Sequence, residues 1–148
     1  MVRLKLVVVF LAINSSIIPV VIAQNRCFAD KAELQEAVDA YIEQDCTNNS
    51  GCNVTQIYGW PIGTWCVGNV TDMSRLFLQK DSFNEDLSGW DVSRVTNFEE
   101  MFFGAYSYNS DVGNWDVSSA TDFRSMFGAA TSFNIDISNW IVSHVYTM

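Results

Sequence analysis

Apolar residues recur along the second half of the chain with a fixed period, equal to the step from Trp65 to Trp90. A tryptophan occupies one position of this period, and asparagine, aromatic and branched aliphatic residues occupy others. Equal spacing of a rare residue indicates one structural unit that is copied and stacked. The aligned tryptophans are Trp65, Trp90, Trp115 and Trp140.

One half of each unit has the spacing of a short helix. After Thr96, and again after Thr121, apolar side chains stand at i, i+3, i+4 and i+7. This pattern predicts one buried stripe of a short helix, and Thr96 with Glu99 matches a capping box. The large stripe residues are Phe98, Met101, Phe102, Phe123, Met126 and Phe127.

The other half of each unit alternates polar and apolar residues. We predict a very short strand centred on Asp86-Leu87-Ser88 and its equivalents, with neighbouring strands paired in parallel. One such unit cannot bury its apolar side alone, whereas stacked units can. The predicted fold class is therefore an α/β repeat solenoid with short parallel strands and short helices.

The segment before the repeats is predicted to be a helical cap. Asp30 can cap a helix that runs to about Gln44, and Glu33 completes a capping-box pattern. A polar loop follows. We therefore divide the chain into residues 1–23, residues 24–61 as an N-terminal helical cap and loop, and residues 62–148 as about three repeats with a truncated last copy.

Residues 1–23 have the layout of a secretory signal peptide. Arg3 and Lys5 precede the apolar run Leu6 to Ile13, and small residues lead to a predicted cleavage site after Ala23. The alternative is an uncleaved membrane anchor. Because polar residues 14–16 interrupt the apolar stretch, a full bilayer span of roughly 20 apolar residues is not reached. We expect a secreted or cell-surface protein with no membrane insertion after cleavage.

The formal charge is −9, and removal of the signal peptide takes it to −11 because Arg3 and Lys5 are lost. So acidic a surface argues against nucleic acid as a partner, because phosphates require Lys and Arg. It argues equally against anionic membrane surfaces. High net charge also keeps extracellular proteins apart in solution, and this is the interpretation we favour over an acidic cation site.

Four cysteines follow the predicted signal peptide. In a secreted chain, an even number indicates two disulfides, for which three connectivities exist. In each of them Cys66 bonds to a cysteine upstream, so oxidation ties the N-terminal segment to the first repeat. A zinc site is the alternative, but the spacings are not those of a zinc finger and the lone His144 is distant. The candidates are Cys27, Cys46, Cys52 and Cys66.

Three N-glycosylation sequons lie in the segment that carries the cysteines. They begin at Asn48, Asn53 and Asn69. In a secreted glycoprotein such sites mark exposed positions.

The repeated tryptophans and aspartates each allow two interpretations. Tryptophans beside apolar residues at a fixed step predict a core row, although an exposed row could stack on sugar rings. Asp86, Asp111 and Asp136 form one acidic column, and Asp91 with Asp116 forms a shorter one. Calcium could bridge such columns, but the glycine-rich nonapeptide of calcium-binding β-rolls is missing, so we predict no cofactor.

The sequence carries little that indicates catalysis. There is one histidine, and no Gly-x-Ser-x-Gly elbow, His-Glu-x-x-His pair or phosphate loop. The carboxylate pairs recur with the repeat, as structural positions do. We therefore predict that the protein is not an enzyme and has no catalytic, cofactor-binding or metal-binding residues.

The unit from Phe83 to Phe102 closely resembles the BspA-like leucine-rich repeat of bacterial, mycoplasmal and protist surface proteins. The shared signature is F-N-x-D-[LIV]-x-x-W-D-V-S-x-V-T-x-[MF]-x-x-M-F, and it covers residues 62–148. The resemblance implies a leucine-rich-repeat-like solenoid that is exported and is linked with adhesion and with binding of host or matrix proteins. It supplies no catalytic residue.

These observations predict a secreted or cell-surface repeat protein whose sheet face binds an extracellular protein or glycan. The alternative is a carbohydrate-binding solenoid, or a calcium-bridged structural solenoid of a cell covering. Because the chain stops inside a unit at Met148, we interpret it as a fragment or a truncation. The identity of the ligand does not follow from the sequence.

Overall fold

The computed structural model describes residues 7–13, 16–22 and 26–148 of the chain. Strands β1 (Val7–Ile13) and β2 (Ser16–Ile22) pair antiparallel, with Val7 opposite Ile22. Both strands lie within the predicted signal peptide, and the predicted cleavage site after Ala23 lies outside the described residues.

Two helices follow, α1 (Lys31–Glu43) and α2 (Asn53–Tyr58), together with single 3₁₀ turns at Cys46–Asn48 and Ile62–Thr64. Helix α1 confirms the helix predicted between Asp30 and Gln44. The Asp30 carboxylate accepts the Glu33 amide at 3.0 Å, and the Glu33 carboxylate accepts the Ala29 amide at 2.8 Å. The apolar face of α1 is buried and consists of Leu34, Ala37, Val38 and Tyr41.

Helix α1 covers the first coil of the repeat region. Gln35 Nε2 donates to the Leu76 carbonyl at 3.2 Å, and Lys80 pairs with Asp39 at 2.7 Å. A Cys27–Cys66 disulfide ties the segment before α1 to the first coil, and the Phe28 amide donates to the Cys66 carbonyl at 3.0 Å. The N-terminal end of the stack is therefore covered and covalently closed.

The predicted fold class, an α/β repeat solenoid of the leucine-rich-repeat type, is wrong. From residue 65 to residue 148 the structure contains turns and single bridges, with neither a helix nor a strand. Three turn-built coils stack on one another: coil 1 (66–90), coil 2 (91–115) and coil 3 (116–140). Residues 141–148 begin a further turn.

The segments predicted as short helices are chains of consecutive turns. In coil 2 the amides of Met101, Phe103 and Ala105 donate to carbonyls three residues back, at 3.0–3.1 Å. The intervening amides of Glu100 and Phe102 donate instead to carbonyls of coil 3, both at 2.9 Å. An α-helix would use every amide within the segment, whereas this backbone shares them between the segment and its neighbour.

Left-handed backbone conformations produce this alternation. Arg75 and Gln79 in coil 1, and Ser125 and Ala129 in coil 3, have φ between 52° and 62°. Such values interrupt a right-handed helix and turn alternate amides toward the next coil. The apolar spacing did not reveal this difference, because a turn chain and a short helix bury much the same side chains.

The strands predicted around Asp86-Leu87-Ser88 are also not formed. Parallel pairing occurs at single bridges elsewhere, where Asp72, Asn97, Asp122 and Thr147 follow one another across the coils. Beside the predicted strands the coils approach closely at individual positions. A Cβ atom on Gly113 would lie 2.5 Å from the Asp136 carbonyl oxygen, which explains why glycine interrupts the repeat there.

Candidate functional site

The repeated tryptophans belong to the core. Trp65, Trp90 and Trp115 are 2–5% exposed, and Trp140 at the open end of the stack is half-buried. Each indole donates a hydrogen bond into the preceding turn, as Trp115 does to the Leu87 carbonyl at 3.1 Å. Buried indoles with satisfied Nε1 atoms favour the core interpretation over a row that stacks on sugar rings.

The predicted stripe residues stack in rows that run through the coils. Phe77, Phe102 and Phe127 lie 5.3 and 5.6 Å apart between ring centroids, with nearly parallel planes. Phe98 and Phe123 stack at 5.2 Å. Met101 and Met126 are buried beside them, and only Phe127 of the large stripe residues is half-buried.

The repeated asparagines form a hydrogen-bonded row on the outside of the stack. Asn84 Oδ1 accepts the Asn109 amide, and Asn109 Oδ1 accepts the Asn134 amide, both at 2.8 Å. Their side chains therefore hold the coils in register. The side-chain oxygens of Asn84 and Asn109 are therefore occupied by hydrogen bonds within the fold.

The aspartate columns are exposed, and each carboxylate holds a turn of its own coil. Asp86, Asp111 and Asp136 accept the amide two residues on at 2.8–2.9 Å. Asp91 and Asp116 do the same at 3.2 and 3.1 Å. These local bonds explain how like charges can repeat along the stack without a cation between them.

The same hydrogen bonds lower the pKa of several of these carboxyls. The hydroxyl and amide of Ser88 lower the pKa of Asp86, and those of Ser118 lower the pKa of Asp116. The amide of Ser138, with its hydroxyl, lowers the pKa of Asp136. The carboxyls of Asp86, Asp116 and Asp136 therefore stay charged in more acidic solution than a free aspartate does.

The part of the chain that the structure describes contains no group of three or more His, Cys, Asp or Glu side chains arranged to hold a metal ion. The calcium bridge considered for the columns thus has no ready ligand set among these residues. Nor does any helix in residues 26–148 have the length and apolar character needed to cross a membrane.

The four cysteine candidates form two disulfides, Cys27–Cys66 and Cys46–Cys52. The first of these is the link between the N-terminal segment and the first repeat that every full pairing required. The sequon asparagines Asn48, Asn53 and Asn69 are all exposed. Thr55 of the second sequon is buried, and its hydroxyl donates within its own segment.

The structure also brings together charges that the sequence analysis did not connect. Arg75 of coil 1 contacts Glu99 and Glu100 of coil 2 at 3.1 and 2.8 Å. Arg124 of coil 3 reaches Glu99 at 2.6 Å. The sequence could have indicated this cross-coil network. Its opposite charges lie one repeat period apart along the chain, or one position short of that period.

A second feature that sequence reasoning missed is a pocket at the open end of coil 3. It has a volume of about 500 Å³ and is almost entirely apolar. Large side chains beyond it are also exposed, with Ile141 at 64% and Tyr146 at 84%. The pocket is lined mainly by Phe123, Met126, Phe127, Ile137, Trp140 and Val142.

Comparison with known proteins places the repeats in a family without assigning them an activity. No curated protein and no solved structure matches the chain. One family model matches residues 48–148, which include α2 and every coil. Because this match covers more than half of the sequence, the chain belongs to the family described as Mycoplasma protein of unknown function, DUF285.

Proposed function

We propose that this protein is a secreted or cell-surface repeat protein that binds another extracellular macromolecule and performs no catalysis. The binding surface is the acidic side of the stack, which carries Asp86, Asp111 and Asp136. The observation that carries the proposal is the regular spacing of exposed carboxylates that are fixed by turn amides. Fixed charges lose little conformational entropy when a partner binds, so they suit recognition of a basic surface.

Three further features support this function. Residues 1–23 have the pattern of an export signal, and the repeat resembles BspA-like surface proteins, which are linked with adhesion. Stacked repeats expose extended surfaces rather than closed clefts. The partner that fits best is a protein with a lysine- or arginine-rich segment, because the chain carries a formal charge of −9.

The test is binding of the full chain to immobilised extracellular matrix proteins, with lysine-rich and glutamate-rich peptides as defined probes. The triple variant Asp86→Asn, Asp111→Asn, Asp136→Asn removes the charges and keeps an oxygen for each turn amide. Asn97 already performs that role by accepting the Glu99 amide at 2.9 Å. We expect the variant to lose about tenfold or more in affinity for the lysine-rich probe.

The matched control removes three exposed charges from the N-terminal segment, as Glu36→Gln, Glu43→Gln and Asp45→Asn. This control should bind within about threefold of the unmodified chain, because it removes as many charges but leaves every column carboxylate in place. Equal loss in both triple variants would mean that only net charge matters. Failure of the unmodified chain to bind any matrix protein or basic probe would remove the proposal.

A glycan remains the second candidate partner, on narrower grounds. Trp60 lies outside the repeated row and is 46% exposed, and its Nε1 donates to the Cys46 carbonyl at 3.0 Å. Exposed aromatic rings are suited to stacking on sugars. Loss of binding to a glycan array in Trp60→Ala, with the aspartate triple variant unaffected, would favour this candidate.

A further inference from the structure

A polar pocket, which we call the cap pocket, lies between the N-terminal segment and coil 1, at the covered end of the stack. It has a volume of about 550 Å³. The end of α1 and the turn that follows it form one wall, and residues 79–85 of coil 1 form the other. Its polar side chains include Asp45, Thr47, Gln79, Asp81, Ser82 and Glu85.

The coil 1 wall of the cap pocket departs from the repeat at its charged positions. Coil 1 has Lys80, Asp81 and Glu85 there, whereas the other coils have uncharged residues. Residues needed for stacking recur from coil to coil, so a change confined to one coil points to something that only this coil contacts. The equivalent residues are Ala105, Tyr106 and Ser110 in coil 2, and Ala130, Thr131 and Ile135 in coil 3.

Contact with the N-terminal segment explains only one of these three charges. Lys80 pairs with Asp39 of α1 at 2.7 Å. Neither Asp81 nor Glu85 forms an ion pair with another residue that the structure describes. Because coils 2 and 3 stack without these two carboxylates, the stacking of coils does not account for them.

A buried polar group without a partner lies close to Glu85. The hydroxyl of Tyr41 is buried and has no hydrogen-bond partner within the described residues. Burial raises the pKa of Tyr41 to about 12, and the charge of Glu85 adds to this shift because the two side chains are near each other. Folds rarely leave a buried hydroxyl unpaired, so the hydrogen-bonding capacity beside Glu85 is a feature that needs an explanation.

Trp60 is held at the edge of the same pocket. Its Nε1 donates to the carbonyl of Cys46, and Cys46 lies in the chain between the lining residues Asp45 and Thr47. The indole is exposed, unlike the repeated tryptophans of the inner coils. An exposed indole beside polar side chains combines an apolar ring surface with hydrogen-bonding groups.

The side chains of the cap pocket fit one class of ligand better than others. Polar groups outnumber the apolar side chains of the lining, which argues against a mainly apolar ligand. The carboxylates of Asp45, Asp81 and Glu85 repel an anion. Among the described residues no group of side chains is arranged to hold a metal ion.

A sugar ring matches what remains. Its hydroxyls can donate to carboxylates and accept from the amide of Gln79, and hydrogen bonds to charged acceptors are the stronger ones. Its carbon-bound hydrogens can pack against an indole. A lysine side chain would use the carboxylates alone and would leave the hydroxyls and the amide of the pocket unmatched.

We propose that the cap pocket binds one neutral hexose unit of a glycan. Asp81 and Glu85 accept hydrogen bonds from the ring hydroxyls, and Trp60 packs against the apolar face of the ring. This site rests on the second candidate function, a glycan partner, and gives that partner a location. The acidic columns take no part in it, so basic-partner binding and hexose binding can each fail without the other.

The test is titration of the full chain with cellotriose, maltotriose and mannotriose, followed by NMR. We expect at least one of these neutral trisaccharides to bind with a Kd of about 1 mM or tighter and to shift the side-chain amide resonances of Gln79 and Asn84. Trigalacturonic acid should cause no such shift, because its carboxylates meet those of the pocket.

Two results of this titration would overturn the proposal. One is that no neutral trisaccharide shifts the pocket resonances at about 20 mM. The other is that trigalacturonic acid or the lysine-rich peptide shifts them while the neutral sugars do not, which would assign the pocket to a charged ligand. Neither measurement requires a variant, so both remain available if a substitution prevents folding.

A pair of double variants tests which carboxylates hold the sugar. Asp81→Thr with Glu85→Ser introduces the residues that coils 3 and 2 have at these positions, so the coil should accept them. We expect this variant to lose about tenfold or more in affinity for the trisaccharide. Glu36→Gln with Glu43→Gln removes as many charges from exposed positions outside the lining and should bind within about threefold of the unmodified chain.

The triple variant of the acidic columns separates this site from the proposed basic-partner surface. Asp86→Asn, Asp111→Asn, Asp136→Asn should bind the trisaccharide within about threefold of the unmodified chain, even where it loses the lysine-rich probe. Loss of the sugar in this variant, with retention in Asp81→Thr with Glu85→Ser, would place the sugar on the columns and overturn the cap pocket.

Discussion

The two ends of the stack differ in how completely their side chains and amides are used. At the N-terminal end, α1 covers coil 1, and Phe77, Leu76 and Met73 are fully buried. At the C-terminal end, the equivalent Phe127 is half-buried and borders a pocket. Since each coil contacts only its neighbours, the stability of a coil depends on whether both of its faces are covered.

This difference in burial comes from packing and not from the local sequence. Phe102 and Phe127 occupy the same position of the repeat, yet one is fully buried and the other is not. Their local sequences are similar, with Met-Phe at both sites. The contribution of a repeated residue is therefore set by its place in the stack.

The largest expected effect contrasts these two phenylalanines. Phe102→Ala removes a ring that stacks on both sides, so we expect a loss of about 3–5 kcal/mol in the free energy of unfolding. Phe127→Ala should lose about 1–2 kcal/mol, because one face of its ring is open. Chemical denaturation monitored by tryptophan fluorescence measures both, and equal losses would contradict the comparison.

The covered end can be opened by breaking its covalent link. Cys27→Ser with Cys66→Ser removes a disulfide that spans 39 residues. Loop-closure entropy predicts that the free energy of unfolding falls by about 4 kcal/mol. The matched control, Cys46→Ser with Cys52→Ser, opens a span of 6 residues and should lose about 2 kcal/mol. Thermal unfolding of the two double variants measures both losses. A larger loss of stability on removal of the Cys46–Cys52 disulfide would contradict the loop-closure argument.

Substitution of Tyr108, which lies in the interior between the two ends, should have a smaller effect on stability. Its hydroxyl is buried without a hydrogen-bond partner in the described structure, in a row that otherwise holds Phe83 and Phe133. Burial raises the pKa of Tyr108, with the charges of Asp86 and Asp111 adding to the shift. Tyr108→Phe removes the unsatisfied hydroxyl and should raise the free energy of unfolding by about 1 kcal/mol, measured by urea denaturation. A clear loss of stability would indicate a hydroxyl partner.

The smallest expected effect is the pH dependence contributed by the acidic columns. The folded-state pKa of Asp86 and of Asp136 lies below the ordinary value of 3.8. A lowered pKa stabilises the fold above 3.8, and this contribution is lost as the pH falls through the folded-state pKa. The Tm should therefore be flat above about pH 5 and fall below about pH 4 through these groups.

Asparagine variants isolate this contribution at the two ends. Asp86→Asn in coil 1 and Asp136→Asn in coil 3 each keep a turn acceptor but cannot titrate. Each should reduce the acid-induced fall in Tm, with the unmodified chain as reference. If the Tm of either variant falls more steeply with acid than that of the unmodified chain, the carboxyl does not stabilise the fold in the way described.

Much of the core could be predicted from the sequence because burial follows the spacing of apolar residues. The period identified Trp90, Trp115 and Phe102 as stacked interior residues, and the capping pattern at Asp30 located α1. The sequence also predicted a disulfide between Cys66 and an upstream cysteine, because every full pairing of the four cysteines includes such a bond. The acidic columns could also be recognised from the repeat, and the structure added their hydrogen bonds to turn amides.

The predicted helices and strands were wrong because apolar spacing does not specify where amides donate. Phe98, Met101 and Phe102 are buried whether the backbone forms a helix or a chain of turns. The left-handed φ of Glu100, a residue that is not glycine, has no clear signature in a single sequence. The cross-coil ion pairs of Glu99 depend on the same register, so they too required the structure.

The sequence by itself determined the period, the residues that face the interior and the cysteines available for the covalent link. Only the tertiary structure decided which amides bond within a coil and which bond to the next. The physical reason is that side-chain burial is encoded residue by residue, whereas an amide takes whichever acceptor the stacked neighbour presents. The Glu100 and Phe102 amides follow this rule, because they donate to the Arg124 and Met126 carbonyls that coil 3 presents.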